Sequence, residues 1–217
     1  LPARYEARFR TPGAATGLTL PAGFAADEIA RQGLTAPEGI LAAPWFQPHT
    51  LLVSDTGRDR LLTLSTGGDL GHWLGDGRWI KPEGLAATDA GNLAVADESG
   101  VVLVDAERLT TRLVPGSAAT GTGAIAAGGP AFGSLLYLCD PSSDRVVKLQ
   151  PNGSLVTFAS NIRGGEGLAF GPGGAWGNDL HVADADLTSL GTAVDGPGRI
   201  ARLGPGGAET PVAQSPL

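Results

Sequence analysis

Apolar residues in this chain come in short runs separated by turn residues, and the same order of runs recurs four times. Each unit opens on a small residue, a Gly and an Ile or Leu. After a spacer it continues as an apolar run ending in Asp, and a second apolar run follows. The first unit reads Pro37-Glu38-Gly39-Ile40, then Leu51-Leu52-Val53-Ser54-Asp55, then Arg60-Leu61-Leu62-Thr63-Leu64. The second reads Pro82-Glu83-Gly84-Leu85, Leu93-Ala94-Val95-Ala96-Asp97 and Val101-Val102-Leu103-Val104. The third reads Gly123-Ala124-Ile125, Tyr137-Leu138-Cys139-Asp140 and Arg145-Val146-Val147-Lys148-Leu149. The fourth reads Gly165-Glu166-Gly167-Leu168, His181-Val182-Ala183-Asp184 and Arg199-Ile200-Ala201-Arg202-Leu203. Runs this short, bounded by Gly, Pro and Asp, read as strands.

The Asp marker stands at 55, 97, 140 and 184, in steps of 42, 43 and 44 residues. A period of this size with several strands per unit is that of a propeller blade. Each unit is predicted to be a four-stranded antiparallel meander. Its first strand follows the Gly, its second ends at the Asp and its third starts near the Arg. An outer fourth strand takes in stretches such as Leu70-Gly71-His72-Trp73-Leu74, Leu155-Val156-Thr157-Phe158 and residues 210–214. Asp89-Ala90-Gly91-Asn92 and Gly171-Pro172-Gly173-Gly174 supply turns between first and second strands.

The expected fold is therefore all-β, a β-propeller of four-stranded antiparallel blades with four full repeats. The repeats occupy residues 34–217, at about 34–75, 76–117, 118–160 and 161–214, and residues 1–33 contribute N-terminal strands. Residues 23–31 read as another outer strand that lacks three partners. Three outcomes are compatible with that: a partial fifth blade from residues 1–22, an incomplete ring, or a ring closed by oligomerisation.

Composition narrows the class. Gly accounts for 34 and Pro for 16 of 217 residues, which disfavours long helices, while 42% hydrophobic residues exclude a disordered chain. A net charge of −7 without a basic run excludes nonspecific nucleic-acid binding, and no apolar run is long enough for a membrane helix. One Cys excludes an intrachain disulfide or a thiolate zinc cluster. The absence of Met points to a processed or excised product: removal of a secretory segment, with an extracellular or periplasmic location, is the expectation, and a domain cut from a cytosolic protein is the alternative.

The units resemble NHL-type propeller blades, which carry a Pro-x-Gly-Ile/Leu opening and a Val-x-Asp…Arg-Ile core. This resemblance covers about residues 34–214 and implies the fold; blades of this kind serve both as binding platforms and as enzymes. A weaker resemblance is to SMP-30/gluconolactonase-type propellers, in which a Glu-Gly before an inner strand supplies a metal-binding Glu. Here Ile40 follows Gly39 where that motif has Pro. Asn92 and Asn178 fall at the opposite end of the blades from where that family's Asn ligands would be needed.

In a meander, the start of the first strand and the end of the second lie at the same end. Glu38, Glu83 and Glu166 are thus expected near the axis, with Gly123 interrupting the series, inside a wider ring of Asp55, Asp97, Asp140 and Asp184. Converging carboxylates are candidate ligands for Ca²⁺. The Asp ring is read structurally instead, as acceptor for the following turn and for Arg60, Arg145 and Arg199.

From Asp to Arg takes 5 residues in the first and third units but 15 in the fourth. Insertions of this kind map to binding faces, so Asp186 and Asp195 are candidate ligand contacts, with Arg78 and Trp79 ahead of Glu83. His49, His72 and His181 share no repeat position, and Cys139 sits where the other units have Ser54, Ala96 and Ala183, a small buried slot. The sequence reading is a noncatalytic binding scaffold that recognises a protein, glycan or small-molecule ligand on the Glu-lined face. A divalent-metal-dependent hydrolase or lactonase is the first alternative. A propeller piece, cut out or engineered for assembly into a homo-oligomer, is the second.

Overall fold

The computed structural model describes residues 33–42, 50–74, 78–105, 107–108, 110–115, 123–184 and 199–214. These form four separate four-stranded antiparallel sheets, each in simple meander order, which together make a four-blade β-propeller. The first blade is β1 (Pro37–Ala42), β2 (Thr50–Asp55), β3 (Arg60–Ser65) and β4 (Leu70–Leu74). The second is β5 (Leu85–Ala87), β6 (Leu93–Asp97), β7 (Gly100–Val104) and β8 (Thr110–Pro115). The third is β9 (Ile125–Ala127), β10 (Leu136–Asp140), β11 (Arg145–Leu149) and β12 (Leu155–Ser160). The fourth is β13 (Gly165–Phe170), β14 (Leu180–Asp184), β15 (Arg199–Leu203) and β16 (Glu209–Gln214). The strands expected after the Gly, before the Asp and from the Arg are all present. Residues 1–32 and 186–195 lie outside the described residues, and with them the fifth-blade strands, Asp186 and Asp195.

Among the described residues, three joints between successive blades make up the core clusters. One face of the first blade, carrying Leu52 and Leu61, packs on Leu85, Val95 and Val102 of the second. The far face of the second, with Ala86, Ala96 and Val101, packs on Ile125, Leu138 and Val147 of the third. The far face of the third, with Ala126, Cys139 and Val146, packs on Val182, Ala201 and Leu203 of the fourth. A blade covered on both faces buries every residue of its second strand, as β6 and β10 do. This explains why those segments read as continuous apolar runs instead of alternating ones.

The hairpin after the Asp is built twice from the same parts. In the first blade a 3-10 turn, Thr56–Arg58, follows Asp55 and leads through Asp59 at φ 50° into Arg60. In the third, Pro141–Ser143 follows Asp140 and leads through Asp144 at φ 51° into Arg145. Asp tolerates this left-handed backbone better than most side chains. No helix among the described residues is long and apolar enough to cross a membrane.

Candidate functional site

The Asp ring closes the hairpins. Asp55 is fully buried and accepts hydrogen bonds from the Thr35 N–H and from Arg60 Nε at 2.7 Å. Asp140 accepts from the Ser142 hydroxyl at 2.6 Å and from Arg145 Nε at 2.8 Å. Asp184 accepts from Arg199 Nε at 2.9 Å. The second blade has Gly100 opposite Asp97 in place of an Arg. There Asp97 accepts from the Ser99 N–H at 2.7 Å, the Ser99 hydroxyl and the Ile80 N–H at 3.3 Å. Burial by itself would raise the Asp140 carboxyl. The hydrogen bonds from Ser142 and Arg145, with the Arg145 charge, outweigh it and hold Asp140 below the ordinary carboxylate value. Each Asp is thus committed to its own blade.

The Glu residues are placed differently. In β1 the register shifts between Pro37, opposite Asp55, and Gly39, opposite Ser54. In β13 it shifts in the same way between Gly165, opposite Asp184, and Gly167, opposite Ala183. Glu38 and Glu166 are the extra residues of these two bulges, and both side chains are exposed. A bulge re-aims a side chain out of the pleat, which here frees the carboxylate from the sheet.

Glu83 precedes β5 and is held through its backbone. Its N–H donates to the Ala96 carbonyl at 2.9 Å, and its own carbonyl accepts from the buried Ser54 hydroxyl at 2.6 Å. The Thr56 hydroxyl donates to the Pro82 carbonyl at 2.5 Å. The side chain stays half-buried. Burial first, then the charges of Glu38 and Glu98, push its carboxyl above the ordinary value, and Lys81 opposes them. Among the described residues, Glu38, Glu83 and Glu166 make no ion pair, whereas Lys81 is engaged by Glu98.

The three Glu do not gather as one ligand set. Among the described residues, no group of three His, Cys, Asp or Glu is placed to hold a metal ion. The third blade explains the spacing. It lies between the second and the fourth and has Gly123 where the others carry Glu, so the charge of Glu38 bears on Glu83 while that of Glu166 bears on Cys139.

Of the other candidates, Arg78 is exposed. Trp79 is not at the surface. It is 2% exposed, packs in the joint between first and second blades, and donates its indole N–H to the Leu74 carbonyl at 3.2 Å. An indole whose ring is enclosed and whose N–H is satisfied has nothing left to offer a ligand, so its role here is packing. Cys139 is buried at the joint of the third and fourth blades. Burial, followed by the Asp184 and Glu166 charges, pushes its thiol up to about 12.

Ser54 and Thr56 were not singled out in the sequence. The available signal was a hydroxyl at position 54, in a slot that is Ala, Cys and Ala in the other units. A cleft of about 320 Å³, lined by Pro130, Phe132, Phe170 and Asn178, lies at the opposite end of the third and fourth blades from the Glu residues.

No protein-family model and no curated protein matches the chain. Solved structures do. A chain of the nidogen/laminin complex superposes with a TM-score of 0.61 at 18% identity, covering 82% of this chain and 64% of that one. A gluconolactonase from Xanthomonas campestris gives 0.59 at 19% identity, over 79% and 58% of the two chains. Virginiamycin B lyase from Staphylococcus aureus gives 0.58 at 14% identity, over 82% and 55%. What they share with this chain is the propeller fold. The chain spans little more than half the length of the lyase and the gluconolactonase. Propellers of binding and of catalytic type are both among these structures, so function has to be argued from the face itself.

Proposed function

We propose that the protein is a noncatalytic binding module that receives a protein or glycan ligand on its Glu-lined face. The supporting observation is the contrast between the two sets of carboxylates. The four Asp accept hydrogen bonds within their blades, while Glu38 and Glu166 are turned out by bulges and Glu83 stands half-buried, its carboxyl raised by burial and by the charges of Glu38 and Glu98. Outward carboxylates that serve no fold contact are positioned for Lys, Arg or hydroxyl groups of a ligand, with the exposed Arg78 for its acidic or stacking groups. A chain of like fold belongs to a protein–protein complex, that of nidogen and laminin. An extracellular or periplasmic location goes with this reading and is tested by fractionating cells that make the protein.

The test is a glycan array and a synthetic peptide panel probed with the native protein and with a Glu38→Gln, Glu83→Gln double variant. Ligands bound by the native protein and lost by the variant support the site. A ligand held equally by both removes it.

A divalent-metal-dependent hydrolase is the second reading. It draws on the likeness to a gluconolactonase and on the repulsion between Glu38 and Glu83, which Ca²⁺ would relieve. The described residues do not supply a third ligand beside that pair, and no catalytic step is derived from them. Thermal unfolding in Ca²⁺, Mn²⁺ or Zn²⁺ against a chelator decides, because a bound ion raises the melting temperature by mass action. An unchanged temperature with all three ions ends this reading.

A further inference from the structure

The far face of the fourth blade repeats, position for position, a face that elsewhere in the chain accepts a neighbouring blade. On the third blade that face carries Ala126, Phe132, Tyr137, Cys139 and Val146, and the fourth blade covers it. The matching residues of the fourth blade are Ala169, Trp176, His181, Ala183 and Ile200. Even the aromatic contact recurs: Phe132 meets Tyr137 edge-on at 5.7 Å between centroids, and Trp176 meets His181 edge-on at 6.1 Å.

Burial separates the two faces. Phe132 is 5% exposed and Val146 fully buried, whereas Trp176 is 61% and Ile200 44% exposed. Ala169 and Ala183 are exposed too. In β10 every residue is buried, but in β14 only Leu180, Val182 and Asp184 are, the alternation of a sheet covered on one side. Gly167 agrees. A Cβ at Gly39 or Gly84 would collide with a backbone carbonyl of the next blade, but at Gly167 it would meet only Ala183 of its own blade, at 3.4 Å.

The complementary half is also present in this chain. Each of the three joints inserts an apolar side chain from the first strand of the following blade: Leu85 and Ile125, both buried, and Leu168, partly buried. The first blade carries Ile40 at that position, and it is 63% exposed. Val53 and Leu62, on the same face, are already buried, so the free part of this half is its inner strand. Among the described residues the two halves do not cover each other.

We infer that the free face of the fourth blade docks a second copy of this chain, head to tail, through the inner strand of the copy's first blade around Ile40. The interface repeats only the inner-strand part of the internal joints, the part in which Leu85 and Ile125 are inserted, because Val53 and Leu62 of the first blade are already covered. It is heterologous, so it closes into a ring if the rotation permits and otherwise propagates. An apolar patch that includes an exposed Trp and Ile is a surface of the kind that marks such contacts. This inference stands apart from the ligand reading, which concerns the Glu residues.

The experiment is sedimentation velocity with light scattering over a wide range of concentration, on the native chain and on Ile200→Glu and Ile40→Glu. The native chain is expected to reach at least twice the mass of one copy. Each variant should weaken that association about tenfold or more, a charge having been placed in the joint. Mixing the two variants should restore a dimer, because the intact head of one meets the intact tail of the other. Both positions are exposed, so unchanged circular dichroism is expected for each, and Ile200→Ser replaces Ile200→Glu if the latter fails to fold. A native chain that is monomeric throughout overturns the inference. So does association that survives Ile200→Glu, or that ignores Ile40→Glu.

Discussion

The hydroxyl of Ser54, wholly buried in the first blade, donates to the carbonyl of Glu83 in the second at 2.6 Å and accepts from the Gly39 N–H at 2.6 Å. One small polar side chain thus ties two blades together at the point where the candidate carboxylate is held. Ser54→Ala leaves a buried donor and acceptor without this partner, and each such loss costs about 1–3 kcal/mol. Chemical denaturation should show the loss as a lower midpoint with unchanged slope. Affinity for any ligand that contacts Glu83 should fall with it.

The Gly residues that open the repeats are not equivalent. An Ala methyl at Gly84 would stand under 3.0 Å from the Gly123 carbonyl oxygen and the Ile125 side chain, and overpacking of this kind costs about 1–3 kcal/mol. Gly167 has room for it. Gly84→Ala should therefore lower the melting temperature clearly, while Gly167→Ala leaves the stability of the monomer within about 0.5 kcal/mol of native.

Two carboxyls give opposite pH signatures. Asp140 is depressed by its hydrogen bonds to Ser142 and Arg145, so its stabilisation is present above the ordinary carboxylate value and is lost as pH falls through its lower folded value. Asp140→Asn should flatten the acid limb of a stability–pH curve.

Glu83 is raised, by burial and then by Glu38 and Glu98. The unfolded chain loses this proton first, so stability falls as pH rises from the ordinary value through the raised one. Glu83→Gln should match the native protein in acid and exceed it in stability near neutrality. A variant curve parallel to native at all pH would show Glu83 to be unperturbed.

Cys139 has its thiol pushed up to about 12 and no exposed surface. The thiolate is the reactive form, so native protein should resist a thiol reagent at neutral pH. Denatured protein should react to completion, as read by mass spectrometry.

Much of this was legible along the chain. The recurrence of Asp55, Asp97, Asp140 and Asp184 gave the blade period. The Arg residues that follow three of them are legible as their partners, because an antiparallel hairpin brings the end of one strand against the start of the next. Trp79 is expected on the ligand face because it stands just ahead of Glu83 in the chain. Nothing local says that the ring turns inward to pack between two blades. The bulges at Glu38 and Glu166 were hidden for a related reason, since a register shift is a property of two paired strands.

The sequence by itself determined the strands, their order within each blade and the four-fold repeat, since all of these depend on residues close together in the chain. Only the tertiary structure decided which carboxylates are used up and which remain free. It also decided which blade faces are covered. Ile200 and Val146 stand at one repeat position, both apolar and β-branched, and a local pattern cannot separate them. Whether a neighbouring blade lies against each is set by long-range packing.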